Sequence, residues 1–178
     1  MSESLHLAHT SQLDIAMLTQ ARDLVDDVFA PDLEPDDWEH ALGGIHALIV
    51  DGGELVGHAA VVQRRLVHGG RALRCGYVEA VAVRADARRR GHGHALMTAV
   101  GEVLNRAYEL GALGATDEAI GLYERHGWAC WRGPLSALTP AGVVPTPDDQ
   151  GAVFVLPVAV PLDLDGPLVC DWRDGDVW

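Results

Sequence analysis

The sequence predicts a mixed α/β fold of the α+β type, with a mostly antiparallel central sheet and helices on both faces. Two observations carry this. Three strand-like runs between residues 44 and 83 are joined by Asp51-Gly52-Gly53 and His68-Gly69-Gly70, and paired glycines between such runs mark tight hairpins. From residue 92 onward, helical patterns alternate with short apolar strands. With 178 residues, 48% of them hydrophobic, the chain can bury one core, so a single domain over 1–178 is expected.

The elements follow in order. A short strand near 4–9 precedes TSQLD, where Ser11 and Asp14 form a helix-start signal. Ile15, Leu18, Ala21, Val25, Val28 and Phe29 recur at helical spacing until Ala30-Pro31 stops the helix. EPDDWEHAL adds a short helix with Pro35 near its start, and Trp38 on it either covers the core or packs near a ligand. GIHALIV, ELVGHAAVVQRRLV and ALRCGYVEAVAV form an antiparallel meander. The strongest helix then lines up Leu96, Ala99, Val100, Val103, Leu104, Ala107 and Tyr108, and Gly111 is expected to end it. LGALGA is a short strand. Thr116 caps a helix with Asp117 and Glu118 in its first turn, closed by His126-Gly127. Trp128 opens another strand. AVFVLPVAV is read as the last one, near an edge because of Pro157 and Pro161.

Charge narrows the function classes. A net charge of −13 argues against nucleic acid or an anionic membrane as partner and permits a cationic one. The acidic residues gather in PDLEPDDWE (31–39), PDD (147–149) and DWRDGD (171–176), whereas the conspicuous basic run is RADARRRG (84–91). Two ligands of opposite charge fit that pattern. No apolar run approaches the roughly 18 residues of a membrane span, and the start shows no secretory signal. Cys75, Cys130 and Cys170 form no C-x-x-C pair, which suits reduced packing thiols and a cytoplasmic location. The histidines lack metal spacing, so no metal is expected, and His92 and His94 are expected at the surface.

RRRGHG (88–93) is the stretch that carries chemistry. It follows an apolar strand and opens a long helix. Gly91 and Gly93 let the backbone turn and approach a ligand, the helix start offers unpaired N–H groups, and Arg88, Arg89 and Arg90 add positive charge. Those parts make a pyrophosphate cradle. No Gly-Lys-Ser/Thr follows, and the third glycine of a dinucleotide fingerprint is missing. Alone, the motif also fits a tight turn.

The strand, the R-x-x-G-x-G loop, the helix and the later IGLYERHGW together resemble the GNAT superfamily of acetyl-CoA-dependent N-acetyltransferases. WEHALGGIHAL, ALRCGYVEAVAVRAD, YELGAL, TPDD and CDWRDGDVW further resemble its aminoglycoside 2'-N-acetyltransferase branch, from about residue 28 to 178. The resemblance implies acetyl-CoA as cosubstrate, its pyrophosphate on Arg88, Arg89, Arg90, Gly91, His92 and Gly93 and its pantetheine arm along Val81, Ala82 and Val83. It implies direct transfer to the 2'-amine of an aminoglycoside in a ternary complex, conferring antibiotic resistance, and, as often in such enzymes, a homodimer. An acceptor pocket of Asp32, Asp37, Glu79, the Ala80 backbone, Asp149, Asp176 and Trp178 follows. Gly114 stands where the family pattern suggests a serine, so only its backbone could contact the acceptor.

Several residues also have plainer readings. Glu79 in an apolar strand either pairs with an arginine or faces water, or else lines the cleft as a base. Tyr123 is either core or the acid that serves the leaving sulfur. No cysteine is placed as a nucleophile. In the closing DWRDGDVW, Trp178 is expected to anchor the tail so that its carboxylate and Asp176 reach Glu79, and that carboxylate is the alternative to Glu79 as the base that takes the amine's proton. Arg173 would pair internally and Trp172 join the core. An acceptor of another kind, such as a different polyamine or a cell-wall amino sugar, stays open. So do a non-catalytic binder of cationic antibiotics and an acetyl-CoA-binding sensor domain.

Overall fold

A computed structural model describes residues 3–32 and 34–178. The chain gathers into two compact units. One takes the chain up to Val62 together with Val78–Glu102, and the other takes Gln63–Tyr77 and Val103–Trp178.

The first unit holds β1 (Ser4–His9), α1 (Ile15–Phe29), α2 (Pro35–His40), β2 (Ile45–Asp51), the first part of β3 (Glu54–His68), the second part of β4 (Arg71–Val83) and most of α3 (His92–Ala107). β1 pairs antiparallel with β2, and β2 antiparallel with β3. The hairpin turn is tight because Gly52 and Gly53 both take positive φ, 63° and 93°, which other residues resist. The cap of α1 is Asp14, whose Oδ1 accepts from the Met17 N–H at 2.8 Å. Ser11 serves instead in a 3-10 turn at Thr10–Gln12, where His9 is the cap. Ala21, Leu24, Val25, Trp38, Leu48, Leu55 and Ala82 share one apolar cluster, so Trp38 is a core residue.

The second unit adds β5 (Leu110–Gly114), α4 (Ile120–Arg125), β6 (Ala129–Cys130), β7 (Leu135–Thr139), β8 (Gly142–Pro145), β9 (Val153–Pro157) and β10 (Leu168–Asp171). β5 pairs parallel with β4 and antiparallel with β9, which also pairs with β6. β10 runs antiparallel to β3 and parallel to β7, and β7 forms a hairpin with β8. Trp131 is fully buried, with its Nε1 donating to the Gly166 carbonyl at 3.1 Å. Among the described residues no helix is long and apolar enough to cross a membrane.

Three sequence expectations change here. The strands β7, β8 and β10 were not foreseen, so AVFVLPVAV is not the last strand. α3 ends at Ala107, and Gly111 lies inside β5, where an added Cβ would come within 2.8 Å of both Leu104 and Trp128. That glycine serves close packing rather than helix termination. Trp172 is 49% exposed, not core, because β10 ends at Asp171 and strand alternation no longer governs the next residue.

Asp171 is tied down strongly. Its Oδ1 accepts from Arg64 Nε at 2.7 Å, its carbonyl from Arg64 Nη2 at 2.8 Å, and its Oδ2 from the Arg65 N–H at 3.0 Å. The Arg64 side chain is 5% exposed and its guanidinium stacks over the Tyr77 ring at 4.6 Å. Burial would weaken the Arg64 charge, yet the Asp171 carboxylate more than compensates and holds it firmly protonated. Asp171→Ala leaves that charge without its counterion. The expected loss is about 2–3 kcal/mol, below the ~3–5 kcal/mol of a fully buried pair because water reaches Asp171. Adding Arg64→Met should recover much of it in urea unfolding; equal instability of single and double variants would contradict this.

Candidate active site

In the first unit the loop after β4 is built from its own charges. Arg84 donates Nε to Asp86 at 2.7 Å and Nη1 to Glu54 at 2.8 Å, while its N–H donates to the Val56 carbonyl. A 3-10 turn at Ala85–Ala87 follows. The chain then passes Arg89 at φ 62° and Gly91 at φ 91° into α3. Arg88, Arg89 and Arg90 are exposed, and nothing lies within 4 Å of the point where a Cβ of Gly91 would stand. An open glycine, three exposed guanidinium groups and a helix start fit a diphosphate group.

His92 differs from expectation. It is buried, with Nδ1 donating to the Ala87 carbonyl at 3.0 Å and Nε2 lying 3.0 Å from Glu3 Oε2. Its ring staples the helix start, and only its backbone is available to a ligand. Ala82 is also core, so its share in any cosubstrate contact is main-chain. Glu79, Ala80 and Val81 are each half-buried. Ala80 has φ 52°, a left-handed conformation that alanine rarely adopts. β4 is buried without a break from Cys75 to Val78 and half-buried from Glu79 to Val81. Asp32 is exposed, while Asp37 already has a structural task, accepting from the Glu34 N–H at 2.9 Å to cap α2.

In the second unit the structure brings Gly114, Asp149, Asp176 and Trp178 together. Trp178 is 5% exposed, and its Nε1 donates to Thr146 Oγ1 at 2.8 Å. Its N–H donates to Asp176 Oδ1 at 3.2 Å. Arg173 donates Nε to the Asp176 carbonyl at 2.6 Å and Nη2 to the Trp178 main-chain oxygen at 3.1 Å, with its guanidinium 5.3 Å from the Tyr77 ring. The internal pairing expected of Arg173 is therefore present. Burial raises the Asp149 carboxyl above its usual range, a hydrogen bond with Thr146 opposes this, and the charges of Asp176 and Asp148 push it further up. Carboxylates that repel one another in this way leave a net demand for a cation. Thr146 is the residue sequence reasoning missed; its only trace was its place at the head of TPDD.

Gly114 lies against this group. A Cβ there would stand 3.7 Å from the Trp178 main-chain oxygen and 3.9 Å from the Tyr77 hydroxyl, ordinary contact distances. Gly114→Ser should therefore fold normally, with stability changed by less than about 0.5 kcal/mol, and shift KM for the acceptor but not for the cosubstrate. A substantial drop in Tm would count against it.

Tyr123 is 5% exposed and packs beside Trp128, ring centroids 6.3 Å apart. Burial pushes its hydroxyl up to about 12, so it stays protonated. Among the described residues no group of three or more His, Cys, Asp or Glu could hold a metal ion.

A family model described as an acetyltransferase (GNAT) domain matches residues 10–131. The chain belongs to the GNAT acetyltransferases. It is 55% identical over 176 residues to the aminoglycoside 2'-N-acetyltransferase of Mycolicibacterium fortuitum, covering 97% of this chain and 90% of that protein. Among solved structures it is similar to the GNAT family N-acetyltransferase YhbS of Escherichia coli, determined in complex with CoA. That match has a TM-score of 0.69 and 16% identity, over 98% of this chain and 91% of that one. A conserved protein of unknown function from Enterococcus faecalis V583 matches with a TM-score of 0.60 and 13% identity over 75% of this chain, which spans 34% of that longer chain. At such identities the structural matches establish the GNAT fold.

Proposed function

We propose that this acetyltransferase moves the acetyl group of acetyl-CoA to the 2'-amine of an aminoglycoside, which would confer resistance to the antibiotic. The observation that carries it is the 55% identity, over nearly the whole chain, to an enzyme named for that activity. The raised Asp149 carboxyl beside Asp176 supports a polycationic acceptor. On the same reading the enzyme is cytoplasmic and a homodimer, which sedimentation would check.

Acetyl-CoA supplies an activated acyl thioester, and the chain supplies position and charge. Arg88–Gly93 would hold the pyrophosphate, the main chain of Val81, Ala82 and Val83 the pantetheine arm. Asp32, Asp37, Asp149, Asp176 and the Trp178 main chain would hold the ammonium groups. Glu79 takes the proton that the reacting ammonium must lose before its nitrogen can attack the carbonyl carbon. The Val81 N–H stabilises the negative charge growing on that oxygen. Tyr123 faces the sulfur as the carbon–sulfur bond breaks. A hydroxyl near 12 surrenders its proton poorly to an ordinary thiolate of pKa about 8.5. Its contribution is then a hydrogen bond to the developing thiolate, and solvent completes the proton balance.

The test is CoA release measured with aminoglycosides that carry or lack a 2'-amine, with the acetylated nitrogen located by NMR. Modification of the 2'-nitrogen is expected. Acetylation elsewhere, or turnover only with other polyamines or cell-wall amino sugars, would overturn the acceptor assignment.

A further inference from the structure

Two fully buried histidines in the first unit have no part in the chemistry above. His46 and His58 are both 0% exposed. His58 Nδ1 lies 2.8 Å from the Ala80 carbonyl oxygen, His46 Nδ1 lies 2.9 Å from His58 Nε2, and Thr10 Oγ1 lies 2.8 Å from His46 Nε2. The Gly43 N–H donates to Thr10 Oγ1 at 2.9 Å, closing the far end. The rings are tilted by 49° with centroids 5.2 Å apart, and Trp38 packs on His58 at 5.9 Å.

The partners fix every proton. A carbonyl can only accept, so His58 Nδ1 carries hydrogen. In a neutral ring Nε2 must then accept, which obliges His46 Nδ1 to donate and His46 Nε2 to accept from the Thr10 hydroxyl. Burial keeps both rings neutral. The hydroxyl's alternative acceptor, the Gly44 carbonyl, is farther away at 3.3 Å. Hydrogen bonds therefore run one way, from Thr10 through His46 and His58 to Ala80. Apolar side chains could fill this volume without burying four ring nitrogens. What the polar chain adds is a grip on one carbonyl, that of the alanine at φ 52°.

We propose that His58 and His46 are positioning residues for acetyl transfer: with Thr10 they hold the Ala80 carbonyl and so lock the left-handed bend that aims the Glu79 carboxylate and the Val81 N–H. This rests on the assignment of Glu79, Ala80 and Val81 to the reaction. Misplacing reacting groups by about 1 Å can cost on the order of 10²-fold in rate.

Two measurements test it. Long-range 15N–1H NMR of the whole protein should show both rings as the Nδ1–H tautomer, and an Nε2–H form of His58 would overturn the chain. In kinetics, His58→Leu should lower kcat on the order of 10²-fold, with KM for acetyl-CoA nearly unchanged. His58→Asn, which keeps an N–H in place of Nδ1, should restore most of it. Ala80→Gly accepts positive φ without strain, so adding it to His58→Leu should recover about tenfold. Wild-type kcat in His58→Leu, or no recovery on adding Ala80→Gly, would refute the role. Should His58→Leu fail to fold, Thr10→Val breaks the chain at its partly exposed end. It should then lower kcat and change the His46 tautomer population; no change in either would refute the role too. A wild type that acetylates no amine would sink the functional assignment and the positioning role with it, whereas wrong tautomers in an active wild type would sink the positioning role alone.

Discussion

Replacing Tyr123 with phenylalanine is expected to lower kcat by about 10²-fold while leaving KM for both substrates within a few-fold, the loss of a donor that acts as the thiolate forms. The packing against Trp128 survives, since the ring is kept, so Tm should hardly move. The pH dependence makes the result specific. With the hydroxyl near 12, no fall in kcat assigned to Tyr123 should occur below about pH 10 in the wild type. If the phenylalanine variant turned over at the wild-type rate, Tyr123 would be a core residue only. A loss that better leaving thiols cancel would support the hydrogen bond to sulfur.

Deleting Trp178 should damage stability and catalysis together, and its two effects can be separated. The indole is almost wholly buried and donates to Thr146, so its loss is expected to cost about 3–5 kcal/mol, as for other large aromatic truncations. The main-chain oxygen that Arg173 grips also disappears, and so does the N–H that donates to Asp176 Oδ1. Acceptor KM should rise and kcat fall. Trp178→Phe keeps the main chain and most of the packing and forfeits only the bond to Thr146, worth about 1 kcal/mol. Near-normal kinetics are expected from it. Equal kinetic damage from both variants would reduce the tail to a packing element. A tag fused after Trp178 keeps the indole and its bond to Thr146, so it should disturb kinetics more than stability, whereas one before Met1 should disturb neither.

Much of this was legible in the sequence, and the reasons differ by element. The hairpins were plain because Gly52-Gly53 and Gly69-Gly70 supply the positive φ that tight turns demand. The loop into α3 was plain because glycines and arginines there have no packing purpose. β7, β8 and β10 were not, because each is four or five residues long and β8 is exposed throughout, leaving little hydrophobic pattern to find. His92 was misplaced because a histidine beside an Arg-rich loop looks exposed, and only the fold brings Ala87 and Glu3 to its two nitrogens. The His46–His58 pair was invisible for the same reason. Twelve residues and a change of strand separate them, and only antiparallel pairing of β2 with β3 aligns the rings.

That pair also bears on the conditions in which the protein can exist. Both imidazoles are pushed down to about 4, His46 by burial and then by the charge of His9. For His58 burial again leads, opposed by its bond to the Ala80 carbonyl and reinforced by His46. In the unfolded chain each returns to about 6.5. Unfolding in mild acid therefore takes up protons that the native state refuses. The stabilisation is complete above pH 6.5 and drains away as pH falls toward 4, at up to about 3 kcal/mol per pH unit for two sites. Urea midpoints measured at pH 7, 6 and 5 should decline in that window, and a flat profile would contradict it. An enzyme sound in neutral surroundings would come apart in an acidified one, with the bend at Ala80 among the first features affected.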